Sequence, residues 1–227
     1  MQMLIRRYEP SDKEAVLTIY RDAIEEHINP AFMFAMTQPL YITISLFIYI
    51  GSYVMSGHSV ILALISGGAW VGLIYFCCYE FYSGYVRERL HTDMNDIPGH
   101  FLSHPDNCFW VAEAEMDGRP QLLGMVAVEC KNDSDGKKYG ELLRMNVSSS
   151  CRRVGLGKRL AKTVEDFCRE RGFWKIILST SSTQRAAEAL YYKMGFKLTL
   201  VNTQSECPQW MVWMTRAKIL YMEKKVM

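Results

Sequence analysis

From residue 141 to residue 196, short apolar runs alternate with segments whose apolar positions recur at a helical period. Residues 141–147 (Glu-Leu-Leu-Arg-Met-Asn-Val) read as a strand. Leu160, Val164, Phe167 and Cys168 then mark one face of a helix over 157–171, stopped by Gly172. Residues 174–180 have the length and apolar content of a buried strand. Ala187, Leu190, Tyr191 and Met194 share a face of a second helix over 184–194, with Gly195 as its terminator. Upstream, 109–115 and 121–130 pattern as antiparallel strands joined through Asp117-Gly118. Nearer the start, 3–8 read as a strand and Ser11-x-x-Glu14 as a capping box. A helical stripe of Val16, Ile19, Tyr20, Ala23 and Ile24 follows. Residues 196–201 and 209–214 are expected to close the sheet as a final hairpin. The order is β-α, an interruption, then β-β-β-α-β-α-β-β. It predicts an α/β fold, a mixed β-sheet flanked by helices.

The interruption is itself a pattern. From Leu40 to Tyr79 there is no Lys, Arg, Asp or Glu, and a helix of a water-soluble core rarely stays apolar on every face for so long. Gly51, Ser52 and residues 56–59 break the run into 40–55 and 59–79, about 24 and 31 Å long as helices. It is no cleavable signal peptide, since it lies behind a charged amphipathic segment. The first strand and the later strands must meet in one sheet, so both flanks lie on one side of a bilayer and an even number of crossings is required. A transmembrane hairpin over 39–82 satisfies this, as would a re-entrant loop. The soluble domain is then assembled from residues 1–38 and 83–227. Arg6, Arg7, Lys13 and Arg21 before the run, with Arg87 and Arg89 after it, favour the cytosol for both ends, a signal diluted by Glu25, Glu26 and Glu80.

Composition narrows the classes. With 26 Lys+Arg against 24 Asp+Glu, the formal charge of +2 supplies no electrostatic case for nucleic acid. Seven cysteines, an odd number without a C-x-x-C pair, argue for a reducing compartment and against a zinc ribbon or disulfide scaffold. Cys77 and Cys78 read as buried small side chains rather than lipid attachment points. His100 and His104 are flanked by Pro98 and Pro105 and have no third ligand at usable spacing, so no metal is expected. Trp210 and Trp213 read as packing, and Lys224 and Lys225 as a solvated tail.

The chemistry is concentrated between the strand at 141–147 and its helix: Arg152, Arg153, Val154, Gly155, Leu156, Gly157, Lys158. Glycines let consecutive amides converge on an anion, and a helix N-terminus adds partial positive charge. No Lys-Ser or Lys-Thr completes a P-loop, and Leu160 stands where a dinucleotide fingerprint needs a small residue. Alone, such a turn is also an ordinary strand-to-helix connection. Thirty residues on, however, the chain reads Gln184-Arg185-Ala186-Ala187-Glu188-Ala189-Leu190-Tyr191-Tyr192-Lys193-Met194-Gly195-Phe196. Together the two segments resemble the GNAT superfamily of acetyl-CoA-dependent N-acetyltransferases. Across almost the whole chain, with the early apolar insertion and His91-Thr92-Asp93-Met94-Asn95-Asp96-Ile97 after it, the arrangement resembles the camello-type membrane-bound members.

The resemblance implies that residues 152–158 hold the coenzyme pyrophosphate, with Gln184 standing where the family usually has asparagine. It also implies that amides of Met145, Asn146 and Val147 serve the thioester carbonyl and that Tyr191 protonates the departing thiolate. Glu141, eleven residues before Arg152, stands where histone-type members keep a catalytic glutamate; Glu129 is the alternative carboxylate. The implied location is the endoplasmic reticulum membrane. The implied acceptors are amines of cysteine S-conjugates or protein lysines, with aspartate a further option, and the oligomeric state stays open. An acceptor carboxylate would want a guanidinium from Arg87, Arg89 or Arg144. A lysine acceptor would want acidic side chains, such as Glu113, Glu115 and Asp117. The rival class is a non-catalytic membrane adaptor retaining the fold.

Overall fold

A computed structural model describes residues 3–116, 118–203 and 207–226. Seven strands form one sheet in the order β1-β2-β3-β4-β5-β7-β6. They are β1 (Met3–Arg7), β2 (Cys108–Met116), β3 (Arg119–Asn132), β4 (Lys138–Val147), β5 (Lys175–Ser181), β6 (Lys197–Asn202) and β7 (Ile219–Lys225). Only β4 and β5 run parallel, a pairing made possible by the helical crossover α5 (Leu156–Glu170).

Both faces of the sheet are covered, and side chains alternate between them. Trp110, Ala112, Val126, Val128 and Leu142 pack under Leu160, Val164, Phe167 and Cys168 of α5. Helix α6 (Arg185–Lys193) joins that layer through Tyr191. Phe109, Val111, Met125 and Ala127 face the opposite layer, where α1 (Lys13–Glu25) contributes Val16 and Tyr20 and α4 (Val60–His91) contributes Val86.

The apolar run folds as two antiparallel helices. Helix α3 (Pro39–Met55) and α4 flank a turn in which Gly57 has φ +69°. Ser66 Oγ donates to Ser52 Oγ at 2.8 Å and Trp70 Nε1 to Ser45 Oγ at 3.1 Å, so the pairing runs from the tip in opposite chain directions. Among the described residues, α4 is the one helix long and apolar enough by itself to cross a membrane. Its 32 residues do not stop where the apolar stretch does. Cys77, Cys78, Phe81, Tyr82 and Val86 carry it into the globule as a buried core helix. Helix α2 (Ile28–Met36) connects α1 to α3, and the chain turns by 73° between Pro10–Met36 and Pro39–Met55. Because β1 precedes the hairpin and pairs with β2 after it, from Met3 opposite Ala114 to Arg7 opposite Trp110, both hairpin ends emerge at the same globule.

Several expectations are corrected. Residues 209–214 are not a strand but a helix, α7 (Gln209–Thr215). The closing strand is β7, inserted between β5 and β6, so Lys224 and Lys225 belong to the sheet. Lys224 Nζ lies 2.8 Å from Glu165 Oε2 and is no solvated tail. Met211, Val212 and Met214 of α7 turn into the core, whereas Trp210 and Trp213 are 54% and 50% exposed, Trp213 with one edge against Tyr41. At the start of α1, Asp12 and not Ser11 organises the turn, its carboxylate accepting the Glu9 amide at 2.8 Å and pairing with Arg6 at 2.7 Å. The Asp117-Gly118 turn expectation falls in part outside the described residues.

Candidate active site

The site begins where the sheet opens. Pairing between β4 and β5 runs only from Gly140 opposite Ile176 to Leu142 opposite Leu178, although both strands continue. On its other edge β4 carries a bulge: Leu143 lies opposite Ala127 and Asn146 opposite Met125, one residue more than β3 supplies. Arg144 sits in that bulge with φ +52°, a conformation a non-glycine side chain adopts at a cost of roughly 1 kcal/mol or more. Beyond it, the Ser148 amide bonds to the Leu123 carbonyl on the β3 side. Amide directions alternate along a strand, so those of Met145 and Val147 point to the open β5 side. The Asn146 carbonyl lies toward β3, close against Gly124.

What holds the bulge is a buried polar network. Arg144 Nε donates to Asp93 Oδ2 at 2.7 Å and Nη1 to the Tyr85 hydroxyl at 2.8 Å. Its guanidinium carbon lies 5.8 Å from the ring centroids of both Tyr20 and Tyr85. The Arg144 and Asp93 side chains are 7% and 6% exposed. Burial opposes ionisation of Asp93, but the bonds and charge of Arg144 outweigh it and hold the carboxyl below its ordinary range. Arg144 is therefore a strut and not a free guanidinium for an acceptor. Arg87 is paired with Glu80 at 2.5 Å.

The glycine turn at 152–158 folds as its glycines require. Gly155 caps α5 with φ +84° and has open space where a Cβ would stand, while Arg153 is also left-handed at φ +62°. Gly157 serves a different need. A Cβ there would come within 3.2 Å of Leu190 and 3.9 Å of Val147, so its absence lets α5 approach β4 and α6 closely. Helix geometry leaves the first-turn amides of Leu156, Gly157 and Lys158 without carbonyl partners. Arg152, Arg153, Val154 and Lys158 are exposed around them and Leu156 is buried beneath. Arg152 reaches across to Glu26 at the end of α1, 2.5 Å away. Gln184 precedes α6 and accepts a hydrogen bond from the Thr180 hydroxyl at 2.7 Å.

Residues 144–147, 152, 153, 155–158 and 184 line one cleft of about 2000 Å³, with Tyr191, Glu141, Glu129, His27 and Tyr82, whereas Val154 turns away from it. Tyr191 is 5% exposed and packs edge-on against Phe196, and burial raises its phenol above the ordinary value. Tyr192, by contrast, is 45% exposed. Glu141 lies directly opposite Glu129 across β4 and β3. Burial raises the Glu141 carboxyl above its ordinary value, with Lys131 working against the rise and Glu129 adding to it. Glu129 itself is paired with Lys131 at 3.0 Å. His27 is held toward its neutral form, chiefly by burial. Glu113 pairs with Arg6 at 2.9 Å, away from the cleft lining, and Asp117 lies outside the described residues.

Three cleft features escape a reading of motifs. Tyr82 of α4 shares hydrogen bonds with Ser181 and Thr183 at the end of β5, at 3.1 and 2.5 Å. Glu26 and the Asp93–Arg144 pair are the others. Arg144 carried a usable signal, since an arginine between Leu143 and Met145 in a buried strand demands a partner. The partner's position, 51 residues earlier, did not.

A profile of the Acetyltransferase (GNAT) family matches residues 73–196. N-acetyltransferase family 8 member 3 of Mus musculus is 37% identical over 202 residues, covering 86% of this chain and 84% of the relative. The Xenopus tropicalis protein named "Probable N-acetyltransferase camello" is 34% identical over 204 residues, 87% of each chain. Among solved structures, a GNAT-family acetyltransferase from Staphylococcus aureus Mu50 superposes with TM-score 0.58 at 14% identity over the full length of both chains. The PaiA N-acetyltransferase of Thermoplasma acidophilum, solved with coenzyme A, gives TM-score 0.55 at 18% identity over 99% of each. At these identities the structures speak for the fold.

Proposed function

Because the chain belongs to the acetyltransferase (GNAT) family, alongside the camello and family 8 N-acetyltransferases, we propose that this acetyl-CoA-dependent N-acetyltransferase works at a membrane surface on amphipathic amines, foremost the α-amine of a cysteine S-conjugate. One observation carries the reading: α4, the helix of the apolar hairpin, continues without a break into the cleft, where Phe81, Tyr82, Tyr85 and Arg89 form a wall. An acceptor with an apolar S-substituent meets that wall at the level where lipid ends.

The membrane part rests on magnitude. Phe47 is 75% exposed and Ile61 70%, and Leu46, Ile50, Val54, Val60, Leu62, Leu64, Ile65 and Phe76 are at least half exposed. Leaving about ten such side chains in water forgoes on the order of 10 kcal/mol, comparable to the whole stability of a domain. Lipid removes that deficit. The 17 residues of α3 rise about 25 Å, close to the roughly 27 Å core of the endoplasmic reticulum bilayer. With both ends of the hairpin in one globule, the domain would sit on one side, and the flanking arginines favour the cytosol for it.

Residues 152–158 would bind the coenzyme diphosphate through first-turn amides and cationic side chains, with Gln184 beside them. Amides of Met145 and Val147 would donate hydrogen bonds to the developing oxyanion as the amine nitrogen attacks the thioester carbonyl. The ammonium proton would leave to Glu141. As the carbon–sulfur bond breaks, Tyr191 would donate its proton to the thiolate, while the acylated nitrogen sheds its second proton to become the amide and so restores the phenol. Protein lysine is the alternative acceptor. The purified full-length protein, given acetyl-CoA with S-benzyl-cysteine or a lysine peptide, is expected to turn over the S-conjugate with the larger kcat/KM. Preference for the peptide would transfer the assignment to lysine. Inertness toward every amine, with acetyl-CoA still bound, would favour the adaptor.

A further inference from the structure

Uncharged sequence begins before the hairpin. No Asp, Glu, Lys or Arg occurs from Ile28 to Tyr79, so α2 shares the character of the shaft that follows it. It does not share the direction. The segment ending at Met36 makes 73° with α3. If α3 enters lipid along the bilayer normal, α2 lies nearly in the membrane plane.

Helix α7 packs beside α2 in the same cluster, through Ile28, Ala31 and Ala35 on one side and Met211, Val212 and Met214 on the other. Each helix leaves large apolar groups outside: Met33 and Phe34 on α2 are 60% and 37% exposed, and Trp210 and Trp213 on α7 are 54% and 50% exposed. The Trp213 ring lies 6.2 Å from Tyr41 at the base of α3, and the Tyr41 hydroxyl donates to the Met214 carbonyl at 3.1 Å, so this surface is continuous with the hairpin. Cations follow directly. The Arg216 guanidinium carbon stands 4.6 Å from the Trp213 ring centroid, and Lys218 is exposed next to it. Exposed tryptophans, an apolar in-plane helix and adjacent cations suit the boundary between acyl chains and phosphates.

We propose that α2 and α7 form a collar seated in the lipid headgroup boundary around the hairpin base, with Met33, Phe34, Trp210 and Trp213 in contact with the bilayer. This rests on the membrane reading of the hairpin and goes beyond it, because the same two segments also face the cleft. His27 and Pro30 on the α2 side, and Pro208 and Met211 on the α7 side, line it. The collar therefore sets the height of the acceptor entrance above the membrane.

The test uses the full-length protein in phosphatidylcholine vesicles whose acyl chains carry bromine either near the headgroup or near the chain ends. Trp70→Phe removes the hairpin's reporter, and Trp210→Phe with Trp213→Phe removes the collar's. The emission component lost in the double variant is expected to be quenched more strongly by shallow bromine than by deep bromine. Should that component be unquenched while the one lost in Trp70→Phe is quenched, the hairpin stands and the collar is overturned. A protein that fails to float with the vesicles overturns the membrane reading itself, and the collar with it.

Discussion

Tyr191 and Glu141 line one cleft, and burial shifts the ionisation of both. Burial disfavours the charged form of each, the direction that the proposed proton donor and the proposed base would each require. Tyr191→Phe should lower kcat by on the order of 10²-fold and leave the acetyl-CoA dissociation constant unchanged by titration calorimetry. An unaltered kcat would remove it from the mechanism. For Glu141, the acid limb of kcat/KM should lie above the ordinary 4.5, and Glu141→Gln should abolish that limb together with most of the rate. Stability carries the opposite sign. A carboxyl raised on folding contributes stability below its unfolded pKa and loses it as pH rises through the folded value. Melts from pH 4 upward should therefore show Glu141→Gln gaining on the wild type. Tyr191 and Glu141 were legible as candidates through the family resemblance, which picks them out by their positions relative to Gly195 and Arg152 and needs no tertiary information. Their burial was not, since it comes from Phe196 and from neighbouring strands.

Among elements, β4 joins the cleft to the hairpin helix. Its bulge holds Arg144 left-handed, and the side chain is tied to Asp93 just past the end of α4 and to Tyr85 within it. Removing one partner leaves a buried charge uncompensated, so Asp93→Asn should destabilise the protein by about 3 kcal/mol or more in denaturant unfolding. Replacing both, Asp93→Leu with Arg144→Met, should cost clearly less than the sum of the single changes. Simple additivity would mean that the pair acts independently and does not clamp the bulge. The sequence announced β4 and α5 through apolar periodicity, and they are where it put them. It misread residues 209–214, where Trp, Met and Val suit a strand by propensity. Packing of Met211, Val212 and Met214 against α2 and α4 instead selects the helix, and tertiary context outweighs so weak a prior.

For the molecule as a whole, one pairing constrains topology: β1, before the hairpin, lies on β2, after it. Tags at both termini should be digested together when protease is added outside sealed microsomal vesicles. A protected C-terminal region would place the domain in the lumen. Glu26 and Arg152 show the same dependence on distant chain, meeting across the cleft from the end of α1 and the glycine turn before α5. They have no sequence relation that spacing could reveal.

Local physics, readable along the chain, was enough for the glycine turn before α5, the helical face that presents Tyr191, the uncharged length of the hairpin and the need for both its ends to share a side. Each depends on backbone sterics, on a period of two or of 3.6, or on the absence of charge. The parting of β4 from β5 after Leu142, the buried Arg144–Asp93 tie, the place of β7 inside the sheet and the outward tryptophans of α7 had to await the folded chain. Those depend on which distant groups displace water from one another, and neighbours in sequence carry no record of that.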